Sequence, residues 1–471
     1  MNETSNRKII KNTTLFAIGN ILTKAVQFII VPFLTFLLST EEYGTIDVIL
    51  TTSTILIAIF GLCIIEGVFR YTLDNTQDKK GVFTFGILVA TCGSLLLILL
   101  YFLLRKIEII RLYGLSAMLY IIFTIFHGII HYFIKALEKI KLFVFNSVLY
   151  SILSSAFAIV FIKVFKLGVN GYFYGYALAL FICMCMMFMC CKLYKYLNIK
   201  KITKPIMMSM LSFSIPLIFN SISWWIMDIS DKYTVLYKMG RSANGILGIV
   251  HKIPSIITMV FSVFAQAFVL SAIVDMDISK KDDADKFKHI FNSLNIILCL
   301  GVGFIIILIE PFTKVFIAKD YYESWKYVPI MAFATLFNSM SAYCGLVYTI
   351  KKKNISFAIS SIIGGVTNFI VCILLIDKIG LYAAALSTLV ANLIIFIYRI
   401  IDIQKFIKIN INVKAYILIA CITIQCIVCC INSLSTMNML IINGIILLFM
   451  IIMSYKTIIN TIAGIFKSLK K

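Results

Sequence analysis

Apolar residues run along this chain in blocks of roughly 20, each closed by a short polar break. A block of that length, coiled as a helix, matches the hydrocarbon thickness of a bilayer. Fourteen blocks are counted, at 13–38, 44–70, 82–104, 112–135, 142–165, 171–192, 206–230, 242–272, 289–310, 326–350, 354–376, 380–403, 413–432 and 436–456. The pattern predicts an all-α polytopic membrane protein with 14 transmembrane helices. The connecting loops are short, which leaves no room for an inserted soluble domain.

The breaks differ in charge. Most of the 43 Lys and Arg residues fall in alternate breaks, as in Arg7, Lys8 and Lys11, then Lys79 and Lys80, and later Lys351, Lys352 and Lys353, with Arg399 and Lys405 further on. The positive-inside rule then places both termini in the cytoplasm. An even span count fits, because one missed helix would scramble the alternation.

Composition sharpens the class. Of 471 residues, 61% are hydrophobic and 14% charged, against about 25% charged in soluble domains. A soluble chain so apolar would expose large sticky patches. The net charge of +22 would suggest nucleic acid in a soluble protein; here it follows topology, and no nucleic-acid partner is expected. The basic N-terminus precedes an apolar run too long for a signal-peptide core, so it reads as an uncleaved first span. The 13 cysteines lie mostly inside apolar blocks and read as small hydrophobes. Cys426 and Cys429 form a CxxC with no His or carboxylate nearby, which gives neither a zinc site nor a disulfide framework.

The chain also repeats itself. Gly44 corresponds to Gly245, and further along Phe157, Lys166 and Gly168 correspond to Phe369, Lys378 and Gly380 without a gap. Spans 1–6 and 7–12 therefore read as two copies in the same orientation. The expected organisation is an N-terminal six-helix bundle (1–203), a second bundle (204–405) and an added helix pair (406–471). Parallel repeats of this kind imply alternating access, with a substrate site between the halves.

Polar side chains inside the spans are candidates for that site. Asn20, Lys24 and Gln27 share one face of the first span at i, i+4 and i+7. A lysine at the bilayer centre costs about 2.5–3.5 kcal/mol, a cost retained more readily where the face opens on water or an anion. Lys252 and Ser255 mark a similar face on the eighth span, and Asn220 and Trp224 on the seventh. The expectation is a wet central cavity made cationic by Lys24 and Lys252. Trp224 and Trp225 read as interfacial anchors, or Trp224 as a platform for a sugar ring. Glu66 and Arg70, at i and i+4, read as a local ion pair or a gate. Asp228 joins the gating set; Asp228 and Asp231 are expected to pair with Lys232 or Arg241, with binding of a coupling cation as the alternative. His127 and His131, also i and i+4, lack a third metal ligand. Pro32, Pro216 and Pro254 can kink the spans that hold them.

Several stretches carry a family resemblance. "PFLTFLLSTEEYGTIDVI" (Pro32 to Ile49) resembles the first hairpin of bacterial polysaccharide transporters, the O-antigen-type lipid-linked oligosaccharide flippases of the multidrug/oligosaccharidyl-lipid/polysaccharide exporter superfamily. "RYTLD", "FSIPLIFNSISWWIMDISDKY", "YYESWKYVPIMAFATLF" and "DKIGLYAAALST" fall where that family has counterparts, over roughly residues 8–405. Ala383 departs from the glycine common in relatives. The resemblance implies two six-helix bundles forming a V around a central cavity. It implies export of an undecaprenyl-pyrophosphate-linked sugar across the bacterial inner membrane, for O-antigen, capsule or exopolysaccharide. Membrane lipids, a polysaccharide polymerase and a chain-length regulator are the implied partners, and the protein is expected to act as a monomer. Lipid II flippase relatives place cations on their first and eighth helices, where Lys24 and Lys252 stand.

No GxxxxGK[ST] motif is present, so direct ATP use is not expected; no cofactor is expected, and H+, Na+ or membrane potential remain as the drive. A cation-coupled multidrug antiporter would need buried carboxylates in span 1, which has none. A lipid II flippase is the alternative within the same chemistry. A membrane polymerase or ligase would need a large external loop, so no enzymatic activity is expected.

Overall fold

The computed structural model describes residues 3–74, 77–262, 265, 281–350, 354–407, 409, 412–430 and 435–469, with some side chains inside those stretches left undescribed. Among the described residues the regular structure is entirely helical. Two compact units form, Met1–Ile229 and Ser230–Lys471.

Unit 1 holds α1 (Glu3–Leu37), α2 (Thr40–Phe60), α3 (Ile64–Leu73), α4 (Lys79–Leu104), α5 (Glu108–Ala136), α6 (Ile140–Lys163), α7 (Gly168–Cys190) and the beginning of α8 (Lys204–Lys252). Helix starts are set by local chemistry. Ser39 caps α2 in a capping box with Glu42, each side chain serving the other's backbone N–H. Asp78 caps α4 by accepting from Lys80 N at 2.9 Å. α7 packs on α5 and α6, α1 on α6, and α5 on α3 and α4. The core is a cluster of Ile, Val, Phe and Met that includes Phe83, Ile125, Ile129 and Phe133.

Unit 2 holds the rest of α8, then α9 (Lys281–Phe316), α10 (Val328–Ile350), α11 (Asn354–Ile379), α12 (Tyr382–Asp402), α13 (Val413–Cys430) and α14 (Thr436–Leu469). α12 packs on α10 and α11, and α13 and α14 pack on α9. The last pair is tied in by polar contacts: Thr436 donates to Glu310 at 2.7 Å, and Gln425 to the Asn443 carbonyl at 3.2 Å.

Thirteen helices are long and apolar enough to cross a membrane, and a shorter apolar helix, Lys204–Phe219, stands at the seventh expected position. The fourteen expected spans are thus matched, with three differences. The second is broken at 61–63. The seventh is described as an apolar helix over Lys204–Phe219, and several side chains between 220 and 228 lie outside the described residues. The expected loop between the seventh and eighth shrinks to Gly240, where φ is +87°. Residues 263, 264 and 266–272 of the eighth lie outside the described residues. Pro254 falls in a turn after α8, whereas Pro32 and Pro216 lie inside helices.

Gly168 and Gly380, matched by sequence, both open onto the next helix with positive φ, +49° and +57°, a conformation that glycine adopts without steric cost.

Candidate functional site

The polar line on α1 starts from how that helix docks. Gly19 lies so close to α6 that a Cβ would sit 2.6 Å from Val144 Cγ1, and Ser151 Oγ donates to the Thr23 carbonyl at 3.1 Å. This fixes the α6-facing side of α1. Asn20 is half-buried, while Lys24 and Gln27 are exposed. Lys24 makes no ion pair among the described residues. On unit 2, Lys252 ends α8 and is exposed, as is Ser255, whose hydroxyl bonds back to the Lys252 carbonyl. The side chains of Asn220, Trp224 and Asp228 lie outside the described residues.

Trp225, the neighbour of the tryptophan singled out by sequence, is described. Its indole N–H donates to the Thr51 carbonyl at 2.9 Å, joining α8 to α2. It lines a cavity of about 340 Å³ within unit 1, together with Thr54, Ile57, Ala58, Gly61, Cys63, Ile65, Glu66 and Ser221. The break between α2 and α3 creates this space. Leu62 and Cys63 take left-handed conformations, φ +50° and +48°, and the Cys63 N–H reaches back to the Ala58 carbonyl at 3.1 Å. The Cys63 thiol sits 3.6 Å from Ser221 Oγ. Ile55, Ala58 and Cys63 form a small apolar cluster with Leu217, Ile218, Ile222 and Trp225 beside the cavity.

Glu66 and Arg70 do not form the expected ion pair within 4 Å. Both are exposed, and the Arg70 guanidinium lies over the Phe213 ring, 5.2 Å from its centroid. The geometric reason is that α3 packs directly on α8: Tyr71 donates to the Ser209 carbonyl, and a Cβ on Gly67 would meet Ser214 Oγ at 2.6 Å. That close approach brings Phe213 under the guanidinium. Glu66 is left lining the cavity.

In unit 2, Asp231 pairs with neither expected partner side chain at hydrogen-bond range. It is 2% exposed and takes His251 Nε2 at 3.1 Å, the Thr388 hydroxyl at 3.2 Å and the Lys232 backbone N–H at 2.8 Å. The fold at Gly240 brings His251 back alongside Asp231. Arg399, counted among the loop cations by sequence, is buried inside α12. Its guanidinium donates to Ser360 Oγ, Ser361 Oγ and the Ser341 carbonyl and lies over Phe357. His127 and His131 bond to Asn146 and Ser147 and stack on each other. No group of three or more metal-ligating side chains is found among the described residues.

The membrane-length helices define a multi-pass membrane protein. The chain belongs to the family described as polysaccharide biosynthesis protein, whose model matches residues 9–270. No curated protein matches it. Its fold is similar to that of a lipid II flippase MurJ in an inward closed conformation, at TM-score 0.70 and 17% identity, covering 95% of this chain and 100% of that one. A multidrug resistance MATE family transporter of the MOP superfamily in an outward-facing conformation gives 0.59 at 13% identity, covering 84% and 96%. A MOP superfamily transporter from Pyrococcus furiosus gives 0.60 at 12%, covering 88% and 96%.

Proposed function

We propose that this protein is a flippase that carries a polyprenyl-pyrophosphate-linked oligosaccharide from the cytoplasmic to the outer leaflet of the bacterial inner membrane by alternating access. The family match over residues 9–270 carries the reading. The sequence adds a chemical reason. A diphosphate cannot cross hydrocarbon unaided, because an unpaired charge there costs several kcal/mol or more. Lys24 and Lys252 are ammonium groups that replace part of its hydration shell; both are exposed rather than packed away. The lipid tail stays in the bilayer while the head moves.

A membrane potential negative inside favours outward movement of an anionic head by about 2.3 kcal/mol per charge per 100 mV. The drive is therefore electrical in part, with any H+ or Na+ coupling added to it. Both termini are cytoplasmic in this reading. The protein works as a monomer beside a polysaccharide polymerase and a chain-length regulator, and it performs no covalent chemistry.

Lys24→Ala is expected to abolish surface polysaccharide while membrane levels of the protein stay normal, and Lys24→Arg to keep partial function. Surface polysaccharide is measured by immunoblot beside a tagged-protein blot. Normal polysaccharide in Lys24→Ala overturns the role of Lys24. If deleting the whole gene leaves every surface polysaccharide intact and sensitises cells to cationic drugs, the multidrug antiporter reading replaces this one.

A further inference from the structure

We infer that the cavity at the α2–α3 break is a subsite for a single sugar ring, resting on the flippase reading above for the source of that sugar. The lining combines what a pyranose requires. The Trp225 indole, held by Thr51, forms a rigid apolar wall, and Ile57, Ala58 and Ile65 extend it for the ring's C–H groups. Thr54 and Ser221 offer hydroxyls and Glu66 a carboxylate that accepts from sugar O–H groups. About 340 Å³ lies at the lower end of small-ligand sites, which suits one ring with its substituents and excludes a whole oligosaccharide.

Electrostatics assign the occupant. The Glu66 carboxylate repels a diphosphate, so this cavity is not where the phosphate head rests. A hydrocarbon chain would leave the Glu66 carboxylate without a partner, at a desolvation cost, while the Thr54 hydroxyl donates to the Thr51 carbonyl at 2.7 Å and Ser221 Oγ sits beside the Cys63 thiol, each with lone pairs still turned to accept. A lipophilic cation suits the indole and the carboxylate but brings no donor for the acceptor lone pairs of the two hydroxyls. A neutral sugar uses every polar group and the apolar wall together. Head and sugar are then gripped by different residues, with Lys24 serving the charge and the cavity reading the ring.

The test is saturation-transfer NMR on the full-length protein in lipid nanodiscs, with methyl glycosides of common hexoses and N-acetylhexosamines at millimolar concentration and tetraphenylphosphonium as the competing probe. At least one glycoside is expected to bind saturably. The double variant Thr54→Val/Ser221→Ala, which keeps side-chain shape, is expected to weaken that binding about tenfold, the loss of two hydrogen bonds. Glu66→Gln weakens it while leaving the thermal melt unchanged. Absence of any saturable glycoside signal overturns the inference, as does equal affinity in the double variant or tetraphenylphosphonium binding in place of glycosides. These outcomes are independent of Lys24→Ala: a failed subsite leaves the polysaccharide phenotype of Lys24→Ala standing, and a failed flippase reading leaves glycoside binding to the cavity measurable.

Discussion

Replacing Asp231 with alanine removes the hub that joins both arms of α8 to α12. The carboxylate is 2% exposed and receives three donors, from His251, Thr388 and the Lys232 backbone. Breaking a fully buried pair by deleting one partner costs about 3–5 kcal/mol. His251 is 29% exposed, so its imidazole regains water once the carboxylate is gone, and Thr388 keeps its own bond to the Ala384 carbonyl at 2.9 Å. The Lys232 N–H, adjacent in the chain, loses one acceptor. The expected net cost is therefore about 2–3 kcal/mol. Equilibrium unfolding in detergent micelles measures it, and a double-mutant cycle with Thr388→Val isolates a coupling of about 1 kcal/mol. A cost below about 0.5 kcal/mol, the scale of an ordinary surface change, would refute the account of Asp231 as a structural hub.

Other outcomes follow from packing and capping. Gly93→Ala drives a Cβ into the Phe60 carbonyl oxygen, so backbone must shift; a loss of about 1–3 kcal/mol and a lower melting temperature are expected. Gly301→Ala meets nothing within 4 Å and is expected to be neutral or stabilising by up to about 1 kcal/mol in the same assay. Asp78→Ala removes the α4 cap at a cost of about 1 kcal/mol at neutral pH. The Lys80 N–H that Asp78 accepts, together with Lys201 at 3.4 Å, holds its carboxyl below the usual range. The cap's contribution is present above about pH 4 and fades as pH falls through the lowered value. Thermal melts of wild type and variant are therefore expected to converge in acid.

Hydropathy made the spans legible, because a bilayer-length apolar block has few alternatives. It could not show the break in the second span, since "FGLCII" is apolar throughout and the interruption is a backbone event at Leu62 and Cys63. The polar stripe on α1 followed from helical periodicity alone, and its residues stand on one helix as expected. Pairings across helices were less accessible. Asp231 was expected to find Lys232 or Arg241, which are close in sequence, whereas its partner His251 arrives only because α8 folds at Gly240. Charge counting treated Arg399 as a loop residue, since nothing in its local sequence shows that two serine hydroxyls from α11 and one serine carbonyl from α10 surround it. Trp225 was hidden behind Trp224: two adjacent tryptophans point about 100° apart on a helix, and only packing decides which one lines a cavity.

Glycine would hold a left-handed turn at no steric cost, yet positions 62 and 63 are leucine and cysteine. Their conformation is maintained by neighbours, chief among them the stretch of α8 that carries Ser221 and Trp225. During synthesis that stretch emerges some 150 residues after the turn. The newborn segment 40–73 is therefore expected to enter the bilayer as one unbroken rod and to snap into two only when the later helix arrives.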